Sequence, residues 1–139
     1  MRVVLDTVVF VRALINPKGR WGRLLFDLSD RYVMVLSPDI IREIIEVLYR
    51  PSLRRRFPQM ADPPQLDRVL ELLEQAEVVE PENEISVCRD PADDKFFECA
   101  LAASAEYIVT EDKDILAVGE YQVVKPITAE HFMVLLEGD

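Results

Sequence analysis

A chain of 139 residues, half of them hydrophobic, can bury one sizeable core, and a single domain over residues 1–139 is the expectation. Its formal net charge of -10, from 26 acids against 16 Lys and Arg, excludes a surface that attracts polyanions as a whole, so any phosphate must meet a local basic patch or cations held by the acids. Cys88 and Cys99 lack CxxC or Cys/His spacing, which argues against a disulfide framework and a zinc site and for reduced thiols in the cytoplasm.

The chain opens with RVVLD, a β-branched run ending in an acid, which reads as a buried parallel strand whose carboxyl end reaches a site. Its apolar continuation is interrupted by Asp6 and Arg12, well short of the roughly 20 apolar residues that span a bilayer, so no membrane segment is expected. TVVFVRALI continues as a helix up to the breakers Asn16, Pro17 and Gly19, and a second helix is predicted over WGRLLFDLSD. YVMVLS is the next strand. Ser37 and Pro38 then form a helix start, with Ser37 as cap, and IIREIIEVLYR runs to Pro51.

From Ser52 to Pro64 three prolines and an arginine run predict irregular structure or a short helix. Arg50, Arg54, Arg55 and Arg56 fall within the seven residues RPSLRRR, either a solvated helix end or a patch facing RNA or a partner. LDRVLELLEQA is an amphipathic helix, and a short strand follows at Glu77 to Val79. A polar loop leads to Asp90 and Pro91, a second cap-then-proline device, ahead of the helix DDKFFECALAASA. EYIVT is a strand leading into the loop TEDKD, YQVVK is the last strand, and Thr128 caps a closing helix AEHFMVLLE. Strand and helix alternate through most of the chain, which predicts an α/β fold with a central parallel sheet covered on both faces.

In such a sheet, residues just beyond the carboxyl ends of the strands converge on one crevice. Asp6 closes the first strand, Asp112 follows EYIVT, Glu43 lies on the helix leaving the second strand, and Asp94 opens its own helix. An acid directly after VVL is costly unless paired or ligating. A carboxylate cluster without His or Cys suits a hard cation such as Mg²⁺ or Mn²⁺. Each acid also has a plainer reading: Asp90 as a cap, Asp93 and Asp94 as complements of the helix dipole, Glu43 as an ordinary surface residue beside Glu46. In TEDKD either Asp112 or Asp114 could turn inward. Thr7 and Thr110 could orient a neighbouring carboxylate or serve turns, and His131, the only histidine, reads as a surface residue.

VVLDTVVFVRALINPKG, SPDIIREIIEVLYRP and DPADDKFFECALAASAEYIVTEDKDIL together resemble the motifs of the PIN-domain family, over nearly the whole length, and especially its bacterial toxin components of toxin-antitoxin pairs, the VapC-like ribonucleases. The resemblance implies a three-layer α/β/α PIN-like domain. It also implies a catalytic and metal-binding set of Asp6, Glu43, Asp94 and Asp112, with Asp94 selected over Asp93 and Asp112 over Asp114. Thr7, Thr110 and Asp114 take supporting places. It implies a Mg²⁺- or Mn²⁺-dependent endoribonuclease acting on RNA, frequent homodimers and often a cognate antitoxin that occludes the site. The chain departs from the family pattern at Val8, where an Asn usually follows the Asp-Thr pair. Rival readings are a non-catalytic PIN-like module that binds RNA or protein, the same chemistry on DNA, and a small phosphatase. Against the last, the chain has no DxDxT motif, no glycine-rich phosphate loop and only four glycines.

Overall fold

The run Arg2–Leu5 (β1) sinks Val3, Val4 and Leu5 fully into the interior, as a strand covered on both faces must. A computed structural model describes residues 1–138, so Asp139, the last residue of the expected domain, lies outside the described residues. Val33–Leu36 (β2), Glu77–Val78 (β3), Tyr107–Val109 (β4) and Lys125–Ile127 (β5) join β1 in one parallel sheet of order β3-β2-β1-β4-β5. Val3 pairs with Met34 on one side and with Tyr107 on the other. The helices Thr7–Ile15 (α1), Arg20–Gly22 (α2), Pro38–Leu48 (α3), Pro51–Arg56 (α4), Pro63–Gln75 (α5), Asp94–Ala102 (α6), Lys113–Val118 (α7) and Ala129–Glu137 (α8) flank the sheet. The result is the three-layer α/β/α architecture expected from the sequence.

β1 is the pivot. The chain leaves it toward β2 on one side and arrives at β4 on the other, which makes the β1/β4 boundary a topological switch point where a crevice opens beyond the strand ends. Asp6 N–H donates to the Val109 carbonyl at 3.0 Å and so ties the two strand ends together. Caps fix where the helices start. Ser37 accepts from Ile40 N–H at 3.3 Å and Thr128 from His131 N–H at 3.2 Å. Among the described residues no helix is long and apolar enough to cross a membrane.

Four local expectations are corrected. The helix predicted over residues 21–30 is broken into α2, a π-helical turn over Arg23–Asp27 in which Leu28 N–H reaches back to Arg23 C=O at 3.0 Å, and a 3-10 turn at Ser29–Arg31. Its start is pinned by Gly22, where a Cβ would stand 1.8 Å from the Pro17 carbonyl oxygen. The last strand is Lys125–Ile127, not YQVVK: Tyr121 and Val124 exchange backbone hydrogen bonds across a tight turn, with Gln122 at φ 54°. A strand containing Pro126 is tolerated because β5 is the sheet edge. The TEDKD loop runs straight into a helix, α7, which Asp112 caps. Finally, Asp90 caps a 3-10 turn at Pro91–Asp93 that runs into α6, not α6 itself.

Candidate active site

Asp6 stands at the junction of β1 and α1, buried to 7% exposure. One carboxylate oxygen accepts from Val8 N–H at 3.4 Å, and the other accepts the Thr110 hydroxyl at 2.7 Å. Thr110 Oγ1 in turn accepts from Asp112 N–H at 3.0 Å, so a single hydroxyl couples the acid after β1 to the acid after β4. Asp112 Oδ1 accepts from the N–H groups of Asp114 and Ile115 at 2.8 and 3.2 Å, as the N-cap of α7. Asp114 enters through that backbone bond. On α3, Glu43 accepts the Thr7 hydroxyl through Oε2 and meets the Lys95 ammonium at 3.1 Å through Oε1. Both threonines therefore hold carboxylates in place.

The two acids of the doublet at 93 and 94 part company in the structure. Asp93 lines the same cleft as Asp6, Glu43 and Asp112, whereas Asp94 lines a neighbouring groove that it shares with Glu43, Lys95 and Glu98. Asp94 Oδ1 accepts from Val87 and Cys88 N–H at 3.1 and 2.8 Å, while Glu98 accepts from Ile85 N–H at 3.0 Å. The segment between β3 and α6 has no ladder to satisfy its backbone donors, and the two acids on α6 do so instead. Burial pulls the Asp94 carboxyl up, but the N–H groups of Cys88 and Val87 outweigh it and leave the acid below its usual range.

The cleft itself is about 450 Å³. A larger hollow of about 580 Å³ lies between β5 and α8, but its lining of residues such as Tyr107, Leu116 and His131 includes none of these acids, so the smaller cleft is the chemical one. Negative charge is concentrated there. Asp6 is raised above its ordinary range chiefly by burial, opposed by Thr110 and Val8 N–H, with Glu43 and Asp112 adding repulsion. Asp93 is pushed up to about 6, first by burial and then by Asp112, Asp90 and Asp6, with Lys95 pulling the other way. Oxygen donors alone, drawn from separate elements, are the donor set a hard divalent cation takes. Yet among the described residues no three such groups are already gathered closely enough to hold a metal ion. Asp6, Glu43 and Asp112 are instead each fastened by a neighbour of their own.

The four arginines of the run stand in different surroundings. Arg50 lines the cleft, joined there by Arg12 of α1, which composition alone does not single out. Arg54 is structural: its Nε donates to Leu48 C=O at 2.9 Å and its guanidinium sits 4.2 Å over the Tyr49 ring. Arg56 lies over Phe57, and Arg55 is exposed. Besides Arg12, no sequence pattern singles out Asp93 for the cleft. The doublet at 93 and 94 is visible in the sequence, but which acid the loop claims is not.

A sequence profile of the PIN domain matches residues 2–114. The uncharacterized protein MJ1680 of Methanocaldococcus jannaschii is 33% identical over 140 residues, covering 96% of this chain and 85% of that protein, so the bacterial placement finds no support in this archaeal relative. Two solved structures share the fold: PAE2754 of Pyrobaculum aerophilum (TM-score 0.62, 16% identity, 100% of both chains) and VapBC2 of Rickettsia felis bound to a DNA fragment from their promoter (TM-score 0.57, 13% identity, 91% of this chain and 98% of that one). With acids from β1, α3 and β4 meeting in one cleft and the profile spanning most of its length, this chain belongs to the PIN-domain family, whose members are generally nucleases that use divalent metals.

Proposed function

We propose that the chain is a metal-dependent endoribonuclease that hydrolyses RNA phosphodiester bonds, and that it serves as the toxin of a toxin-antitoxin pair. The observation that carries this is the meeting of Asp6, Glu43, Asp93 and Asp112, from four separate elements, on one cleft. These four would hold Mg²⁺ or Mn²⁺, with Asp93 taking the place first expected of Asp94. When bound, such an ion supplies Lewis acidity toward a phosphoryl oxygen and makes water a better nucleophile at neutral pH. The chain's own part is positional. Thr110 and Thr7 fix the Asp6 and Glu43 carboxylates, and the Asp112 cap holds its free oxygen at the crevice. Lys95 neutralises part of the repulsion around Glu43 while the acids stand apart.

A cognate antitoxin, a homodimer and a cytoplasmic setting belong to the same reading, supported by the family and by the likeness to the VapBC2 structure. The test is an assay on mixed RNA and matched DNA, with and without Mn²⁺, run beside Asp6→Asn. Mn²⁺-dependent RNA cleavage that disappears in Asp6→Asn is the expected outcome. A second reading, a non-catalytic PIN module, is favoured by the ungathered acids and the Lys95 contact on Glu43. RNA binding without cleavage under any divalent cation would establish that alternative.

A further inference from the structure

α1 and α3 pack against each other along the cleft, and each presents the same order of side chains from the strand ends outward. On α1 the order is Thr7, then the half-exposed Val8 and Val11, then Arg12. On α3 it is Glu43, then Val47, then Arg50 just past the helix end. Val8 and Arg12 are four residues apart, as are Glu43 and Val47, so each set lies on one helix face. The cleft therefore runs from carboxylates across a valine floor to two guanidiniums. Val8, 40% exposed, makes that floor apolar.

Neither arginine is committed to a buried pair. Arg12 rests 5.1 Å over the Trp21 ring, which fixes its direction without cancelling its charge, and among the described residues it forms no ion pair. Arg50 meets only the exposed Glu46, at 3.4 Å, a pairing that solvent screens. In a chain of net charge -10, two cations held on an otherwise acidic cleft call for an anionic occupant.

We propose, resting on the nuclease reading above, that Arg12 and Arg50 form a subsite for a second phosphate of a single-stranded nucleic acid, beside the scissile one. The valine floor takes the intervening base by its face. A base already paired and stacked in a duplex does not offer that face.

The test measures binding of a labelled single-stranded RNA oligomer by fluorescence anisotropy at several salt concentrations, in the cleavage-impaired Asp6→Asn background. Arg12→Gln with Arg50→Gln should lower the slope of log affinity against log salt by about 0.7, the change for one phosphate charge on a single strand that goes unneutralised. Arg55→Gln, outside the cleft, should leave the slope in place, and a duplex of the same sequence should bind less tightly than the single strand. In a chain with an intact Asp6, the double variant should raise KM about tenfold with kcat within about twofold, since it touches no reacting atom. An unchanged slope, an equal loss in Arg55→Gln, or equal affinity for duplex overturns the subsite. Unchanged slopes beside Mn²⁺-dependent cleavage overturn the subsite alone. A lowered slope in a chain that never cleaves supports strand binding and overturns the nuclease reading instead.

Discussion

Asp94→Ala deletes the acceptor of two backbone N–H groups, those of Val87 and Cys88 at 3.1 and 2.8 Å, and leaves both donors half-buried without a partner. A hydrogen bond to a charged group contributes about 1.5–3 kcal/mol, and allowing for partial solvent access the pair is worth about 3 kcal/mol. For a domain of this size that lowers Tm by about 10 °C. Asp94→Asn keeps an acceptor oxygen and should cost only about 1 kcal/mol. Asp93 has no such duty: among the described residues its side chain forms no hydrogen bond, and Asp112, Asp90 and Asp6 press on its charge. Asp93→Asn should therefore leave Tm in place or raise it slightly. It should also cut RNA cleavage by at least about 100-fold, the upper end of what losing even an outer partner of a metal ligand costs. Thermal melts and single-turnover cleavage of the three variants decide the matter. Full activity in Asp93→Asn, with an inactive and normally stable Asp94→Asn, would return the catalytic place to Asp94.

Other outcomes follow from the same structure. Asp93 holds its proton up to about 6, above the roughly 3.9 of an unfolded aspartate, so the metal-free protein loses stability from this group as pH rises through about 4 to 6. Thermal stabilisation by Mn²⁺ should then be small at pH 5 and developed by pH 7, and a shift that is equal at both would refute it. Arg54→Ala should lower stability by about 1–2 kcal/mol by removing the hydrogen bond to Leu48 C=O and the stacking on Tyr49, whereas Arg55→Ala should be neutral in denaturant titrations. Gly22→Ala forces a methyl against the Pro17 carbonyl and should cost about 3 kcal/mol, read as a lower urea midpoint.

The fold was legible because burial writes itself into composition. VVL at 3–5 and MVL at 34–36 are apolar runs that a covered strand explains, and Ser37-Pro38 marks a helix start locally. What escaped was what depends on neighbours. YQVVK has the pattern of a strand, but the edge position of β5 lets a proline segment pair with β4 instead. Asp6, Glu43 and Asp112 could be named from strand ends and a family likeness, since sheet order decides their meeting. The choice between Asp93 and Asp94 rests on backbone donors at 87 and 88, six and seven residues upstream of Asp94, whose need no side-chain pattern announces. Lys95 on Glu43 and Arg12 beside Arg50 are likewise juxtapositions across helices.

Asp6 and Asp112 each serve two masters, closing the first turn of a helix while facing the cleft. A descendant released from chemistry would still need an acceptor at both positions to spare its helix ends. Decay of activity in this lineage would therefore leave Asn or Ser there rather than Ala, a polar fossil recording where the charge once stood.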